Sequence, residues 1–331
     1  MRINTLQFLI ALAAAGLAAG AAALAFGSAD LSLREIAVAL FDQDAAPGHK
    51  LIAQLRLQRA ASAFAVGGLL ALAGVFMQVL LRNPLADPYV LGTSGGAAVA
   101  ALLATLAGFT TLAIDFSAFI GAAAATAFVY LVARSGMAVS PARLLLTGIV
   151  LASGFAAMIS VLLALAPEQG VKGMLFWLMG DFSFSRNAGP VWLLLIVSGT
   201  AAMFIARELN VLARGEIQAK ILGQNVNRLQ AVLFLASALL TAVAVSTAGP
   251  IGFIGLVVPH LIRLVVGSDH RRVVPGAILA GGTLMVVADT SARTIVAPLQ
   301  LPVGALTAFI GVPTFLILMS RTGASGLHQI R

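Results

Sequence analysis

The 331-residue chain contains no cysteine. Disulfides and thiolate metal sites are therefore excluded. Charge is scarce as well: 10% of residues are charged, against about 25% in soluble domains, and an ordinary soluble fold is excluded with it. Lysine occurs only at Lys50, Lys172 and Lys220, never after a glycine. The chain thus lacks the G-x-x-x-x-G-K-[ST] loop and cannot cradle ATP phosphates by that device. No H-E-x-x-H occurs, and the four histidines are scattered. His260, in "VVPHLIR", reads as a structural helix-end residue, because a lone imidazole makes no metal site without partners. No catalytic pair and no metal-ligand spacing emerges, which leaves an enzyme the weakest class.

What is present is apolar. Hydrophobic residues make up 60% of the chain and the mean hydropathy is +1.02. Runs of about 20 apolar residues recur, the length that spans a bilayer. Solid runs such as "AVLFLASALLTAVAV" exclude the dyad alternation of a membrane β-barrel. The expected class is an all-α, polytopic membrane protein. A net charge of +8 reflects topology first in such a protein. No basic run interleaved with aromatics points to nucleic acid, and none is expected as a partner. The N-terminal 26 residues carry Arg2, an apolar run and an Ala23/Ala25 pair. The run is longer than the 7–15 residues or so of a signal peptide's apolar region, so it is read as a retained first helix.

Hydropathy predicts about ten spans, at 6–26, 60–81, 93–109, 112–133, 143–165, 191–206, 229–246, 252–266, 275–295 and 303–320. The eighth is short and lies among Gly249, Pro250, Gly252 and Gly255, which predicts a partial or tilted helix. Residues 171–184 are too short to span and carry interfacial aromatics, so a surface or re-entrant helix is expected there. Ten spans put both termini on one side. With the N-terminus inside, Arg34, Lys50, Arg56, Arg59, Lys172, Arg186 and Arg293 fall outside, and the other 13 of the 20 basic residues fall inside. That is the direction of the positive-inside rule. The chain reads as one transmembrane domain, 1–331, with an external loop at 27–55. An inverted repeat, common in transporters, is not demonstrable by residue matching.

One cytosolic stretch differs from its surroundings: "RGEIQAKILGQNVNRLQ", 214–230. Glu216 and Lys220 stand four apart in the favourable order for a helix. Ile217 and Ile221 share another face, and Gly223 suits a helix end. This predicts a small surface helix, which on spacing alone is either a solvated loop or a platform for another subunit. The middles of the spans lack ionisable residues. Asp289 and Arg293 come closest, four apart near an outer end, and are expected to pair. Proton coupling has no obvious carrier, whereas sodium coupling through backbone carbonyls stays open. Energy for transport is expected from another subunit.

Three stretches resemble the permease subunits of the iron-siderophore, heme and vitamin B12 family of ABC importers. They are "RLQRAASAFAVGGLLALAGVFMQVLLRNPLADPYVLGTSGGA", "GPIGFIGLVVPHLIRLVVGSDHRRVVPGAILAGG" and "VADTSARTIVAPLQLPVGALTAFIGVPTFLI". With "LNVLARGEIQAKILGQNVNRLQ", the resemblance covers 56–319; the first 55 residues match only as a span and an external loop. It implies ten spans per subunit, a homodimer around one pathway, two ATP-binding subunits and a soluble substrate-binding protein. ATP and magnesium would belong to the partner ATPase, this chain having no ATPase site and binding no cofactor or metal of its own. The location implied is the bacterial cytoplasmic (inner) membrane, in contact with lipid.

The resemblance also assigns residues. The coupling helix covers 215–223, with Glu216, Gln218, Ala219, Leu222 and Gly223 expected to contact the ATPase. Arg56, Arg59 and Arg293 match arginines that pair with carboxylates of the binding protein. Arginine suits that role, being permanently charged and bidentate; headgroup phosphates are the simpler alternative. In "RNPLADP", Pro84 and Pro88 forbid a continuous helix, and Asn83 and Asp87 can satisfy local backbone groups. The family's inner gate maps to Asn83 and Leu85, with Ser140, Pro141 and Ala142. The family often has small hydroxyl residues where this chain has Pro141 and Ala142, which leaves the manner of closure open. Stretches such as "GGAAVAALLA" permit close helix approach, and a wall with few polar grips suits a bulky metal chelate: ferric siderophore, cobalamin or heme. The alternative is an ion-coupled secondary transporter that needs no ATPase.

Overall fold

The computed structural model describes residues 4–27, 33–41, 46–135, 138–139, 141–183 and 187–326. Fourteen α-helices account for nearly all of it. They are α1 (Thr5–Ala25), α2 (Leu33–Phe41), α3 (Pro47–Leu80), α4 (Thr93–Leu106), α5 (Thr111–Ala133), α6 (Pro141–Leu165) and α7 (Glu168–Met179), followed by α8 (Gly189–Phe204), α9 (Ala206–Leu212), α10 (Glu216–Ile221), α11 (Val226–Ala248), α12 (Ile254–Val266), α13 (His270–Thr294) and α14 (Val303–Gly326). A 3-10 turn (Pro88–Leu91) precedes α4, and a two-residue antiparallel ladder pairs Arg134–Ser135 with Ala138–Val139.

Each predicted segment contains a helix. Among the described residues six helices are long and apolar enough to cross a membrane, α8 and α9 reach that length only as a pair bent by 63°, and three apolar helices are shorter. The expected surface helix near 171–184 is α7, and α2 lies within the expected external loop. Helix α3 begins at Pro47 rather than near residue 60, so the second span projects well beyond the apolar run. Local chemistry sets these ends. Pro47 and Pro190 sit in the first turns of α3 and α8, where a missing N–H costs nothing. Asn4, Asn225 and Asp269 cap α1, α11 and α13 through their side chains, each satisfying a backbone donor that the helix start leaves free.

Helix α3 is the axis of the molecule. Its most apolar 18-residue window is 94% buried inside the chain, against 6% for α1 and for α6. Helices α1, α8, α11, α12 and α13 pack around it, and most of the main apolar core gathers there. Small residues bring the backbones together: Gly67 of α3 abuts Gly281 of α13, and Gly74 abuts Gly255 of α12. Phe64 of α3 stacks on Trp192 of α8 with ring centroids 5.3 Å apart, and the Trp192 indole donates to the Ala61 carbonyl at 3.0 Å. Helices α1 and α6 instead turn residues such as Leu17, Val150 and Leu165 outward.

Helices α4 and α12 have 14 and 13 residues, about 20 Å each at 1.5 Å per residue. That is less than the roughly 30 Å hydrocarbon core. Both begin well inside the fold. The Gly255 start of α12 lies against Gly74, Leu70 and Pro88, about 10 Å from the inner end of α3 on the same rise. The segment after α3 therefore turns back into the protein. Its buried backbone is satisfied internally: the Ile251 N–H donates to the Tyr89 hydroxyl at 3.0 Å and the Gly92 N–H to the Tyr89 carbonyl at 3.0 Å. Irregular backbone at membrane depth requires such partners.

Candidate functional site: the two ends of the bundle and a small exposed helix

At the outer end, Arg59 of α3 gathers three other segments. Its Nε donates to both Asp289 oxygens at 3.0 Å. Its Nη2 reaches Asp289 Oδ1 at 2.8 Å and Asp181 Oδ1 at 3.2 Å. Its Nη1 donates to Ser183 Oγ at 3.0 Å and Gln300 Oε1 at 3.3 Å. Asp289 is 1% exposed and also faces Arg293 Nε at 3.3 Å, the expected pair one helical turn apart. Arg293 Nη2 donates to the Ala23 carbonyl at 3.2 Å. Arg56 Nη1 donates to the carbonyls of Leu24 at 2.7 Å and Ala25 at 3.2 Å, groups that the end of α1 leaves without helical partners. Arg56, Arg59 and Arg293 thus come together, and all three are engaged within the chain. The result is a polar latch joining α1, α3, α13 and the 181–183 and 300 loops.

At the inner end, α10 occupies 216–221 within the expected 215–223. Glycines flank it at φ 131° (Gly215) and φ 78° (Gly223), conformations that side chains with a Cβ resist. Its inner face holds Ala219, which is fully buried, and Glu216, which accepts from Gln230 Nε2 of α11 at 3.0 Å. Its outer face exposes Ile217, Ile221 and Leu222 at 77%, 78% and 68%. Gln218 and Gly223 are also exposed. Of the five residues expected to meet an ATPase, Gln218, Leu222 and Gly223 lie on the surface, while Glu216 turns inward and Ala219 is covered. The two isoleucines, visible in the sequence as a shared face, are the largest apolar surface there.

Glu216 also pairs with Arg82 at 3.4 Å, which links α10 to the inner turn. Arg82 has φ 49°. It follows the end of α3 in a Schellman arrangement: the Arg82 N–H donates to the Val79 carbonyl and the Asn83 N–H to the Gln78 carbonyl. Glycine is the usual occupant of that left-handed position, and another residue costs about 1–2 kcal/mol there. Beyond it, the Asn83 side chain accepts from the Leu85 N–H at 2.9 Å, and Asp87 caps the 3-10 turn by accepting from the Tyr89 N–H at 2.7 Å. Burial pushes the Asp87 carboxyl up to about 6 against the Tyr89 hydrogen bond, which favours its charged form. Asn83 is exposed and Leu85 half-buried. Across from this turn, α6 starts at Pro141, Ala142 is exposed, and Ser140 lies outside the described residues, as do Arg2, Arg186 and Arg331.

Among the described residues no group of three or more His, Asp or Glu side chains is arranged to hold a metal. Sequence reasoning missed Asp181, Ser183 and Gln300 as partners of Arg59, the Gln78 contact of Arg263 and the Asn210 contacts of Asp269 and His270.

The chain is similar to several known proteins. The hemin transport system permease of Yersinia pestis is 41% identical over 280 residues, 81% of this chain and 82% of that protein. The cobalamin import system permease of Halobacterium salinarum is 40% identical over 272 residues, 81% and 73% of the two chains. The iron(3+)-hydroxamate import system permease of Bacillus subtilis is 38% identical over 307 residues, 90% and 79%. A solved structure assigned to the metal-chelate type ABC transporters, in an inward-facing conformation, superposes with a TM-score of 0.82 at 30% identity, covering 96% of this chain and 99% of that one. Residues 12–321 match the FecCD transport family, and with that match and these relatives the chain belongs to the FecCD transport family.

Proposed function

We propose that this protein is the membrane-spanning permease of an ATP-driven importer for a bulky metal chelate, a ferric siderophore, cobalamin or heme. In this reading two copies form the pathway in the bacterial cytoplasmic membrane. Two ATP-binding subunits, holding ATP and magnesium, supply the energy, and a soluble binding protein delivers the chelate at the outer face. The observation that carries the reading is α10: a glycine-flanked cytosolic helix with three large apolar side chains exposed, anchored through Glu216 to Arg82 and Gln230. An ATPase seated on Ile217, Ile221 and Leu222 would move α10, and the Glu216–Arg82 pair would pass that movement to the turn carrying Asn83 and Leu85. That turn, together with Ser140, Pro141 and Ala142, is assigned the inner gate on the resemblance. Docking of the binding protein is assigned to the outer latch. Its Arg59 side chain is 12% exposed, and an arriving carboxylate would compete there with Asp181. Family membership gives no support to the gradient-driven alternative.

The test is affinity purification of the tagged chain in mild detergent, beside a variant carrying Ile217→Arg and Ile221→Arg. A P-loop ATPase identified with wild type and lost from the variant, and ATP-dependent chelate uptake lost in parallel, is the expected outcome. Equal recovery of the ATPase with both forms sinks the assignment of α10. No ATPase with either form sinks the importer reading itself.

A further inference from the structure

Where α3, α9, α12 and α13 meet on the cytosolic side, they line an open cavity of about 560 Å³. Its wall includes Arg82, Arg214, Arg263, Asn210, Asp269 and His270. Three arginines therefore face one carboxylate, and that carboxylate is already engaged. Asp269 Oδ1 accepts from Asn210 Nδ2 at 2.7 Å and from the Arg271 N–H at 3.0 Å. Arg263 has no carboxylate partner among the described residues. Its Nη1 donates to the neutral Gln78 Oε1, whose amide is held in turn by the Leu256 carbonyl at 3.1 Å. Arg82 is shared with Glu216, and Arg214 is exposed. A partly buried guanidinium with only a neutral partner is costly until an anion arrives.

His270 narrows the ligand further. It is 2% exposed, and its Nε2 has no partner. Asn210 Oδ1 accepts from the His270 N–H at 2.8 Å and lies 2.7 Å from its Nδ1. Because Asn210 Nδ2 is committed to Asp269, that oxygen is an acceptor, so Nδ1 carries the ring proton. Nε2 is then a lone pair awaiting a donor. The cavity thus offers several cationic donors and one buried acceptor. A ligand with anionic oxygens and one acidic O–H meets both demands. Hydrogenphosphate keeps an O–H at neutral pH, and a phosphate monoester, whose second ionisation lies near 6, has the same chemistry in its singly protonated form; guanidinium groups grip the oxygens of both bidentately. The position, between helix ends on the cytosolic side, is where basic pockets also meet lipid headgroups.

We propose that this cavity is a binding site for a phosphate anion that retains one O–H, held by Arg214 and Arg263 and read by His270 Nε2 through that O–H. The phosphate comes either from solution or from a monoester lipid headgroup. The test uses the full purified chain with no ATPase, binding protein or chelate, so it stands or falls separately from the transport role. Calorimetric titration at constant ionic strength compares inorganic phosphate with sulfate, which has no O–H at neutral pH. Nanodiscs of phosphatidylcholine with or without phosphatidic acid then supply the lipid arm. Wild type is expected to bind phosphate more tightly than sulfate. Arg214→Gln, on an exposed side chain, should weaken phosphate binding about fivefold with an unchanged thermal midpoint in the absence of ligand. Arg263→Gln should weaken it more than about tenfold. Displacement of phosphate by phosphatidic acid discs assigns the site to the headgroup, and retention assigns it to free phosphate. Absence of phosphate binding, sulfate bound as tightly as phosphate, or equal affinities of wild type and Arg214→Gln overturns the proposal.

Discussion

Replacing Asp289 by asparagine removes the one carboxylate that Arg59 and Arg293 share, without changing its size. Asp289 is 1% exposed and takes Arg59 Nε and Nη2 at 2.8–3.0 Å, with Arg293 Nε at 3.3 Å. In the variant one oxygen survives to accept from Arg59. The other position becomes an NH₂ that faces guanidinium donors. Removing one partner of a buried ion pair costs about 3–5 kcal/mol, because the remaining charge stays desolvated. Asp181→Asn is the internal control. Asp181 is 12% exposed and meets the same Arg59 at 3.2 Å, but Asp289 and water remain to satisfy the guanidinium, so the loss should stay near the 0–1 kcal/mol or so of a surface pair. Denaturant unfolding in detergent can be read from Trp192, stacked on Phe64 of α3. The expected order is a large loss for Asp289→Asn and a small one for Asp181→Asn. Equal losses would show that the latch is not organised around Asp289, and the reasoning from burial would be refuted.

The remaining predictions follow from single features. Asp87 is raised in the folded protein from 3.8 to about 6, so the stability tied to its protonated form is present below pH 4 and lost as pH rises through 6, by at most about 3 kcal/mol. Asp87→Asn keeps an acceptor for the Tyr89 N–H and should be the more stable protein at pH 7.5, with the gap closing toward pH 4.5; a gap independent of pH would contradict this. Arg82→Gly relieves about 1–2 kcal/mol of left-handed strain and loses an exposed ion pair worth less than about 1 kcal/mol. Stability should move by less than about 1 kcal/mol while ATP-driven uptake falls, and normal uptake would remove Arg82 from the coupling route. Gly74→Ala puts a Cβ into the Gly255 carbonyl and should cost at least about 3 kcal/mol, whereas Gly20→Ala, with nothing within 4 Å, should be neutral or gain up to about 1 kcal/mol; similar midpoints for the two would argue against the α3–α12 contact.

The helices were legible because a bilayer leaves few alternatives: apolar runs near 20 residues must be helices, and the basic residues orient them. Helix α10 was legible from Glu216, Lys220 and Gly223, and the Asp289–Arg293 pair from its four-residue spacing. Which face of α10 looks outward was not legible, since six residues make less than two turns and both Glu216 and Leu222 are plausible surface residues. Arg59 stood out as an external arginine, yet its partners Asp181 and Asp289 lie 122 and 230 residues away, and no local pattern ties them to it. The inward return after Arg82 was also hidden. "RNPLADP" has the composition of a surface turn, and only the packing of Pro88 on Gly255 takes it inside.

Helix α3 carries Arg59 at the outer latch and Gln78 near its inner end, about 29 Å apart at 1.5 Å per residue. Between them it is almost wholly enclosed, with glycine contacts to α12 and α13 that fix its height against both. A rod so confined cannot bend to absorb an event at one end; it can only shift or rotate as a body. Thermodynamic linkage then makes the two ends reciprocal. If a protein bound at the outer latch changes the affinity for a partner on α10 by some factor through α3, that partner must change the outer affinity by the same factor.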